Sequence, residues 1–116
     1  MPERDVSLLL EDILESIDKI GRYTGHMEFE DFKRNDIVAD AVVRNIEIIG
    51  EACRIIPETI RAKYSAVPWR RIIGFRNIAI HQYFKVDLEI LWTVVTEGLP
   101  GIKPQLEKIL EELRGK

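Results

Sequence analysis

Apolar residues at helical spacing dominate the first part of the chain. They recur at steps of three and four residues, at Val6, Leu9, Leu10, Ile13, Ile17 and Ile20. Glu11, Asp12, Glu15 and Asp18 lie outside this set, which is typical of an amphipathic helix with one buried face. The pattern predicts a helix from about Asp5 to Tyr23, with Asp5 as its N-cap and Gly25 at its C-terminal end.

A second dense apolar pattern follows a polar connection over residues 25–35. One helical turn is predicted inside that connection, at Glu30–Lys33. Asn35 or Asp36 then caps a second long helix, which runs from Ile37 to about Ile56.

Prolines and glycines divide the second half of the chain. Pro57 ends the second helix and starts a short one at Glu58–Tyr64. Pro68 begins a third long helix that runs to about Ile80. The remaining predicted segments are a helix at Leu88–Glu97 capped by Asp87, a break at Gly98, Pro100 and Gly101, and a last helix at Lys103–Leu113.

These segments predict an all-α bundle of four to five helices in a single domain over residues 1–116, because neither strand-like alternation nor internal repeats occur. Gly50, in the middle of the second long helix, costs about 1 kcal/mol relative to alanine, so we expect a close helix crossing there. The third long helix, with Trp69, Ile72 and Ile73, is predicted to be apolar on more than one side. It should therefore pack in its own bundle and against a second copy in a homodimer.

Composition excludes several classes of protein. Cys53 is the only cysteine, so neither an intrachain disulfide nor a cysteine-based metal site is possible. No signal peptide is apparent at the N-terminus, and the apolar runs are shorter than a membrane span. We therefore expect a cytoplasmic protein without a membrane or metal partner. The pI of 5.4 argues against indiscriminate coating of nucleic acid.

The charge distribution isolates one basic window in this acidic chain. Residues 59–86 contain neither aspartate nor glutamate, yet they hold six basic residues. The chain has a net charge of −3, so everything outside the window sums to −9. A local basic site is therefore predicted. Its basic residues are Arg61, Lys63, Arg70, Arg71, Arg76 and Lys85.

Inside this window lies an Arg-x4-His-x-Tyr motif, in the run GFRNIAIHQY at residues 74–83. It contains Arg76, Asn77, His81 and Tyr83. On an ideal helix Asn77 and His81 share a face, whereas Arg76 and His81 lie about 140° apart. We therefore expect the helix to end near His81, with residues 81–86 forming a bend and Arg76 reaching back. Asn77 would then either hold the imidazole or contact a phosphate.

The motif has a chemical interpretation. Histidine has an unperturbed pKa of about 6.5, which suits a general base near neutral pH. The planar arginine fork matches phosphate oxygens and keeps its charge. His81 would take the proton from an RNA 2′-hydroxyl, and Arg76 would stabilise the charge that develops on phosphorus. Together, these side chains favour RNA cleavage without a metal ion or another cofactor.

The chain also resembles a known family. The leucine-rich first helix, RNIEIIGEACRIIP at residues 44–57, PWRRIIGFRNIAIHQY at 68–83 and the VDLEILW that follows occur in this order in HEPN-domain proteins, specifically in HepT-like toxins. The resemblance implies a metal-independent endoribonuclease toxin whose site is built by a dimer. It also implies a minimal nucleotidyltransferase antitoxin as partner, which attaches AMP at the position of Tyr83.

Other residues of the window admit simpler interpretations. Arg70, Arg71 and Lys85 are expected to form a solvated or RNA-contacting face rather than to act in catalysis. The aromatic residues Trp69, Phe75 and Phe84 belong to the core or to the dimer interface, unless one is exposed and stacks on a base.

The second long helix carries further polar residues. Glu47 is expected on its solvent face, whereas Arg44 and Glu51, seven residues apart on one stripe, are candidates for lining the seam beside the motif. His26 lies in a predicted loop, and nothing around it indicates a function.

A second class of function competes with the enzyme. In a non-catalytic helical module, the basic groove would bind a nucleotide, an RNA or a partner protein, and His81 would only orient the ligand. The simultaneous presence of Arg76, His81 and Tyr83 favours the ribonuclease. A purely structural dimerisation bundle would leave the acid-free window unexplained.

Overall fold

Helices make up nearly all of the computed structural model, which describes residues 3–79 and 87–115. No strand occurs in these two ranges, so the prediction of an all-α fold is confirmed there. The α-helices are α1 (Glu3–Thr24), α2 (Phe29–Lys33), α3 (Asp36–Ile55), α4 (Glu58–Lys63), α5 (Trp69–Ala79), α6 (Leu88–Thr93) and α7 (Leu99–Arg114).

Local capping explains where several helices begin. The Asn35 side chain accepts a hydrogen bond from the Val38 N–H at 3.0 Å, so Asn35 is the N-cap of α3. The Asp87 carboxylate accepts hydrogen bonds from the Glu89 and Ile90 N–H groups, both at 3.1 Å, and starts α6 as predicted. The short helix predicted within the first connection is also present, as α2.

The predicted start of α1 is wrong. The helix begins at Glu3, so Asp5 lies inside its first turns instead of capping it. Glutamate and arginine both have high helix propensity, which allows the helix to extend beyond the first residue able to cap it.

The predicted break at Gly98, Pro100 and Gly101 is also wrong. A π-helical turn at Val94–Gly98 joins α6 to α7, and the Leu99 N–H donates to the Val94 carbonyl. Pro100 follows in the first turn of α7, where a missing N–H costs little. The Gly98 backbone lies against α5, since a Cβ there would be only 3.2 Å from Phe75 Cζ.

The bundle is organised around α3. This helix packs between α1 and α5, while α1 packs in turn against α7. Burying one large apolar side chain stabilises the fold by about 1.5–3 kcal/mol. The largest fully buried side chains come from six of the seven helices and the α3–α4 connection, and include Leu10, Ile13, Phe32, Ile46, Ile49, Ile56, Ile72, Leu91, Leu99 and Leu106.

Gly50 marks the crossing of α3 and α5, as the sequence predicted. A Cβ built on Gly50 would lie 3.4 Å from the Ile73 carbonyl oxygen and 3.6 Å from Arg76 Cβ. The space is therefore sufficient for about one methyl group, and a longer side chain at this position would force the helices apart. The crossing places the base of Arg76 directly on α3.

The exposed side of α5 is more polar than expected. Trp69, Ile72 and Phe75 are buried in the bundle. The exposed positions between residues 69 and 77 are all polar, namely Arg70, Arg71, Arg76 and Asn77. The prediction that this helix is apolar on more than one side is therefore wrong for residues 69–77. No described helix has the length and apolar character needed to cross a membrane.

Candidate functional site

A groove of about 720 Å³ runs along α3, between α1 and α5. We call it the α3 groove. Its apolar floor comes from both α1 and α3, and charged side chains of both signs surround that floor. It is lined by Leu9, Asp12, Arg44, Glu47, Ile48, Glu51, Ala52, Arg54, Ile55 and Arg76.

Arg76 is the residue of the Arg-x4-His-x-Tyr motif that the structure places in this groove. It lies in the last described turns of α5, and its side chain is exposed. Its Cβ is close to α3 because Gly50 has no side chain, while the residue as a whole remains exposed. An exposed arginine with a fixed base is suited to binding an oxyanion of a phosphate.

Glu51 is the acidic neighbour of Arg76 in the α3 groove. The Arg54 guanidinium donates to its two carboxylate oxygens, at 3.2 and 2.5 Å. These hydrogen bonds, and to a smaller extent the positive charge of Arg76, hold the pKa of the Glu51 carboxyl below its usual range. Glu51 is therefore ionised at neutral pH, and its charge acts on Arg76 across the groove.

The prediction that Arg44 and Glu51 lie on one stripe beside the motif agrees with this geometry, since both line the α3 groove with Arg76. The expectation for Glu47 is only partly right. Its side chain is half-buried in the same groove instead of lying on a fully solvated face.

A second groove, of about 700 Å³, lies between α4 and the start of α5. We call it the α4–α5 groove. Three arginines line it against a single acidic residue, Glu58, so its charge is +2. Two of them, Arg70 and Arg71, are exposed, whereas Arg61 donates from Nε to the Ile56 carbonyl at 3.0 Å. This surface suits a polyanion better than the α3 groove does.

Two aromatic residues of the basic window belong to the core. Trp69 is buried, and its Nε1–H donates to the carbonyls of Arg61 at 3.1 Å and Tyr64 at 3.0 Å. Phe75 is buried as well. Neither ring is therefore available to stack on a base, which decides between the alternatives that the sequence left open.

The remaining predicted site residues lie outside the described residues. His81, Tyr83 and Lys85, together with Phe84, fall within residues 80–86. Of the predicted site, the structure thus places Arg76 in the α3 groove, Arg70 and Arg71 in the α4–α5 groove, and Asn77 as an exposed residue next to Arg76. Their approach to His81 stays a prediction.

Sequence reasoning missed the wall of the α3 groove on α1. Leu9 and Asp12 reach the groove only because α1 packs alongside α3. Sequence spacing along α1 gives no indication of that neighbour. Within residues 3–79 and 87–115, no group of three or more histidine, cysteine, aspartate or glutamate side chains is arranged to hold a metal ion.

Comparison with known proteins shows which family this chain resembles. The family model described as "Ribonuclease HepT-like" matches residues 13–109. A putative RNase of Methanocaldococcus jannaschii is 44% identical over 116 residues, covering 100% of this chain and 96% of its own length. A probable ribonuclease HepT of Thermococcus cleftensis is 41% identical over 100 residues, covering 86% of this chain and 91% of its own length.

A putative RNase of Caldanaerobacter subterraneus is 37% identical over 103 residues, covering 89% of this chain and 92% of its own length. No solved structure matches the chain at a significant level. The match to the family model and the near-complete overlap with these relatives confirm the resemblance drawn from the sequence motifs. This chain belongs to the HepT-like ribonuclease family.

Proposed function

We propose that this chain is a metal-independent endoribonuclease that acts as the toxin of a toxin–antitoxin pair. The observation that carries the proposal is the exposed Arg76, whose base is fixed against α3 at the rim of the α3 groove. Membership of the HepT-like ribonucleases supports RNA as the substrate. The acid-free window around Arg76 favours a polyanionic ligand.

The proposed reaction is transesterification. His81 removes the proton from the 2′-hydroxyl, and the 2′-oxygen attacks the adjacent phosphorus. Arg76 donates to the non-bridging oxygens as their negative charge grows. The new 2′-O–P bond replaces the P–O5′ bond, which leaves a 2′,3′-cyclic phosphate on one product and a 5′-hydroxyl on the other. The departing 5′-oxygen needs a proton from a general acid.

A second copy of the chain supplies that acid in our proposal. One copy of the motif contains one histidine, which is already used as the base. In a two-fold dimer a second His81 and a second Arg76 face the same phosphate. The division of labour then follows from symmetry, since either histidine can serve as base while the other serves as acid.

The RNA beyond the cleaved bond is assigned to the basic side of α5. Arg70 and Arg71 line the α4–α5 groove, and Arg70 lies about 9 Å from Arg76 along the helix axis. We assign Lys85 to the same surface because it belongs to the same basic window. These contacts supply affinity that depends on salt and carry little sequence information. Asn77 completes the set by binding either the imidazole of His81 or a phosphate.

Metal independence and product chemistry together test the proposal. The purified protein is expected to cut RNA in the presence of EDTA and to leave 2′,3′-cyclic phosphate ends, which mass spectrometry of the products identifies. RNA with a 2′-O-methyl group at the cut site should survive because it lacks the nucleophile, and DNA should survive for the same reason. Binding of RNA without cleavage would instead support the non-catalytic module.

The proposed antitoxin is a minimal nucleotidyltransferase that adds AMP to Tyr83. Incubation with such an enzyme and ATP is expected to add AMP mass to the tryptic peptide that contains Tyr83, with release of pyrophosphate. Tyr83→Phe should abolish the addition because the phenolic oxygen is the acceptor. Tyr23→Phe, which removes a tyrosine on α1, is the matched control and should be modified like wild type. AMP addition at Tyr23 or Tyr64 would contradict this assignment.

A further inference from the structure

The π-helical turn at Val94–Gly98 brings Gly98 against the ring of Phe75, the residue directly before Arg76 on α5. A Cβ built on Gly98 would lie 3.2 Å from Phe75 Cζ and 3.6 Å from its Cε2. The first distance is shorter than an ordinary van der Waals contact between two carbon atoms. The Phe75 ring thus occupies space that a side chain at position 98 would need.

The geometry of the π-helical turn explains why Gly98 lies there. The Leu99 N–H donates to the Val94 carbonyl, five residues earlier, so the turn contains one residue more than an α-helical turn. In an α-helix, residues five apart point about 140° away from each other, whereas Val94 and Leu99 are both buried here. Turns of this kind are rare and are frequent at functional sites. This one lies beside the helix that carries Arg76.

Two contacts fix the part of α5 that holds Arg76. On one side, a Cβ on Gly50 of α3 would lie 3.4 Å from the Ile73 carbonyl oxygen and 3.6 Å from Arg76 Cβ. On another side, the Phe75 ring lies against Gly98. Successive residues of a helix point about 100° apart, so the two contacts act on α5 from different directions. Together they restrict both the distance of α5 from α3 and its rotation about its own axis.

We propose that Gly98 is a positioning residue for the reaction: by admitting the Phe75 ring, it sets the rotation of α5 and so the place where Arg76 meets the phosphate. This role rests on the proposed function, because only a group that stabilises a transition state needs so accurate a position. Phe75 is buried, so its ring has no free space into which it could turn. A push on the ring therefore passes to the backbone of α5.

Gly98→Ala tests the contact. The added methyl group forces the Phe75 ring to move by a few tenths of an ångström, and the resulting shift of α5 is expected to lower kcat about tenfold. The dissociation constant for RNA should stay within about twofold of wild type, because the exposed Arg70 and Arg71 still supply affinity. Gly101→Ala is the matched control and should keep the wild-type kcat, since a Cβ on this residue of α7 meets nothing within 4 Å.

Phe75→Leu separates positioning from a general loss of stability. Leucine lacks the Cζ and Cε2 atoms that approach Gly98, so it loses the contact from the other side and should lower kcat about fivefold. In this background Gly98→Ala should cause no further loss of kcat, because the methyl group enters the vacated space. A residue that only stabilises the fold would leave kcat unchanged wherever circular dichroism shows the protein to be fully folded.

A measurement without RNA keeps this role distinct from the ribonuclease activity. The backbone N–H signal of Arg76 in a ¹⁵N NMR spectrum reports on the local geometry of α5. Gly98→Ala should shift this signal in the wild-type background but not in the Phe75→Leu background. Gly101→Ala should leave it in place.

A folded Gly98→Ala protein that keeps both the wild-type kcat and the wild-type Arg76 signal would overturn the inference. Equal losses of kcat from Gly98→Ala in the wild-type and Phe75→Leu backgrounds would do the same. If Gly98→Ala fails to fold, a folded Phe75→Leu protein with the wild-type kcat is the contradicting result. A wild-type protein that cuts no RNA would contradict the proposed function instead, and the Arg76 signal would still decide whether Gly98 sets the position of Arg76.

Discussion

Replacing Arg76 with alanine is expected to slow RNA cleavage on the order of 100-fold, the usual effect of removing a group that faces developing negative charge. The loss should appear mainly in kcat, because the phosphate gains its extra charge only in the transition state. Binding of RNA should weaken much less, since Arg70 and Arg71 remain on the same helix.

The fold should survive this substitution. The Arg76 side chain is exposed at the rim of the α3 groove, and only its Cβ lies against Gly50. Alanine keeps that Cβ, so the α3–α5 crossing is preserved. The circular dichroism spectrum should therefore match that of wild type. The free energy of unfolding, obtained from the thermal melt, should lie within about 0.5 kcal/mol of the wild-type value, the usual range for surface changes.

Two further variants sharpen the result. Arg76→Lys keeps the charge but cannot donate two parallel hydrogen bonds, so it should recover only part of the rate. Arg22→Ala removes an exposed arginine from α1 and should cut RNA like wild type. If a folded Arg76→Ala protein cleaves RNA at the wild-type rate, Arg76 is not in the catalytic site and the activity belongs elsewhere.

Local signals in the sequence predicted the helix starts that depend on neighbouring residues. Asn35 and Asp87 cap α3 and α6 through side chains that reach N–H groups two or three residues away. Such contacts are encoded within a few positions of the chain. The same reasoning failed at Asp5, because a residue able to cap a helix does not stop good helix formers before it from joining the helix.

Errors were concentrated where distant residues decide the structure. Glycine and proline at Gly98 and Pro100 predicted a break, but the π-helical turn accommodates them and Gly98 packs against Phe75 of α5. That contact joins residues 23 positions apart in the sequence. Propensity describes the cost of a residue in an isolated helix, and tertiary packing overrides it here.

The candidate site likewise contains some residues that the sequence identified and others that only the packing of the helices revealed. The sequence identified Arg76 through its motif, and it identified Arg44 and Glu51 through their helical spacing. Each of these signals lies within a single segment of the chain. It could not identify Leu9 as part of the groove, since this residue comes from a helix placed there by packing. It also left Trp69 undecided, and only its burial and its two hydrogen bonds assign it to the core.

The clearest control for the proposed general base is built into the chain, which has two histidines. His81 belongs to the Arg-x4-His-x-Tyr motif, whereas His26 is exposed in the connection between α1 and α2. A substitution at His26 therefore removes an imidazole of the same kind from a position without a proposed role. The pair of variants separates loss of a catalytic histidine from any general effect of losing histidine.

His81→Ala is expected to lower the cleavage rate by roughly 100-fold or more, the usual scale for a positioned acid–base group, and His26→Ala should retain the wild-type rate. In the proposed dimer the His81→Ala substitution removes both the base and the acid from the site. In the proposed mechanism one His81 must be neutral to act as the base and the other must be protonated to act as the acid, so the wild-type rate should follow a bell-shaped pH profile. That profile should be lost in His81→Ala and persist in His26→Ala. RNA should still bind to His81→Ala, since Arg70, Arg71 and Arg76 are unchanged, and filter binding at a fixed salt concentration measures it. A folded His81→Ala protein that keeps both the wild-type rate and its pH dependence would rule out His81 as the base and leave RNA or nucleotide binding as the role of this surface.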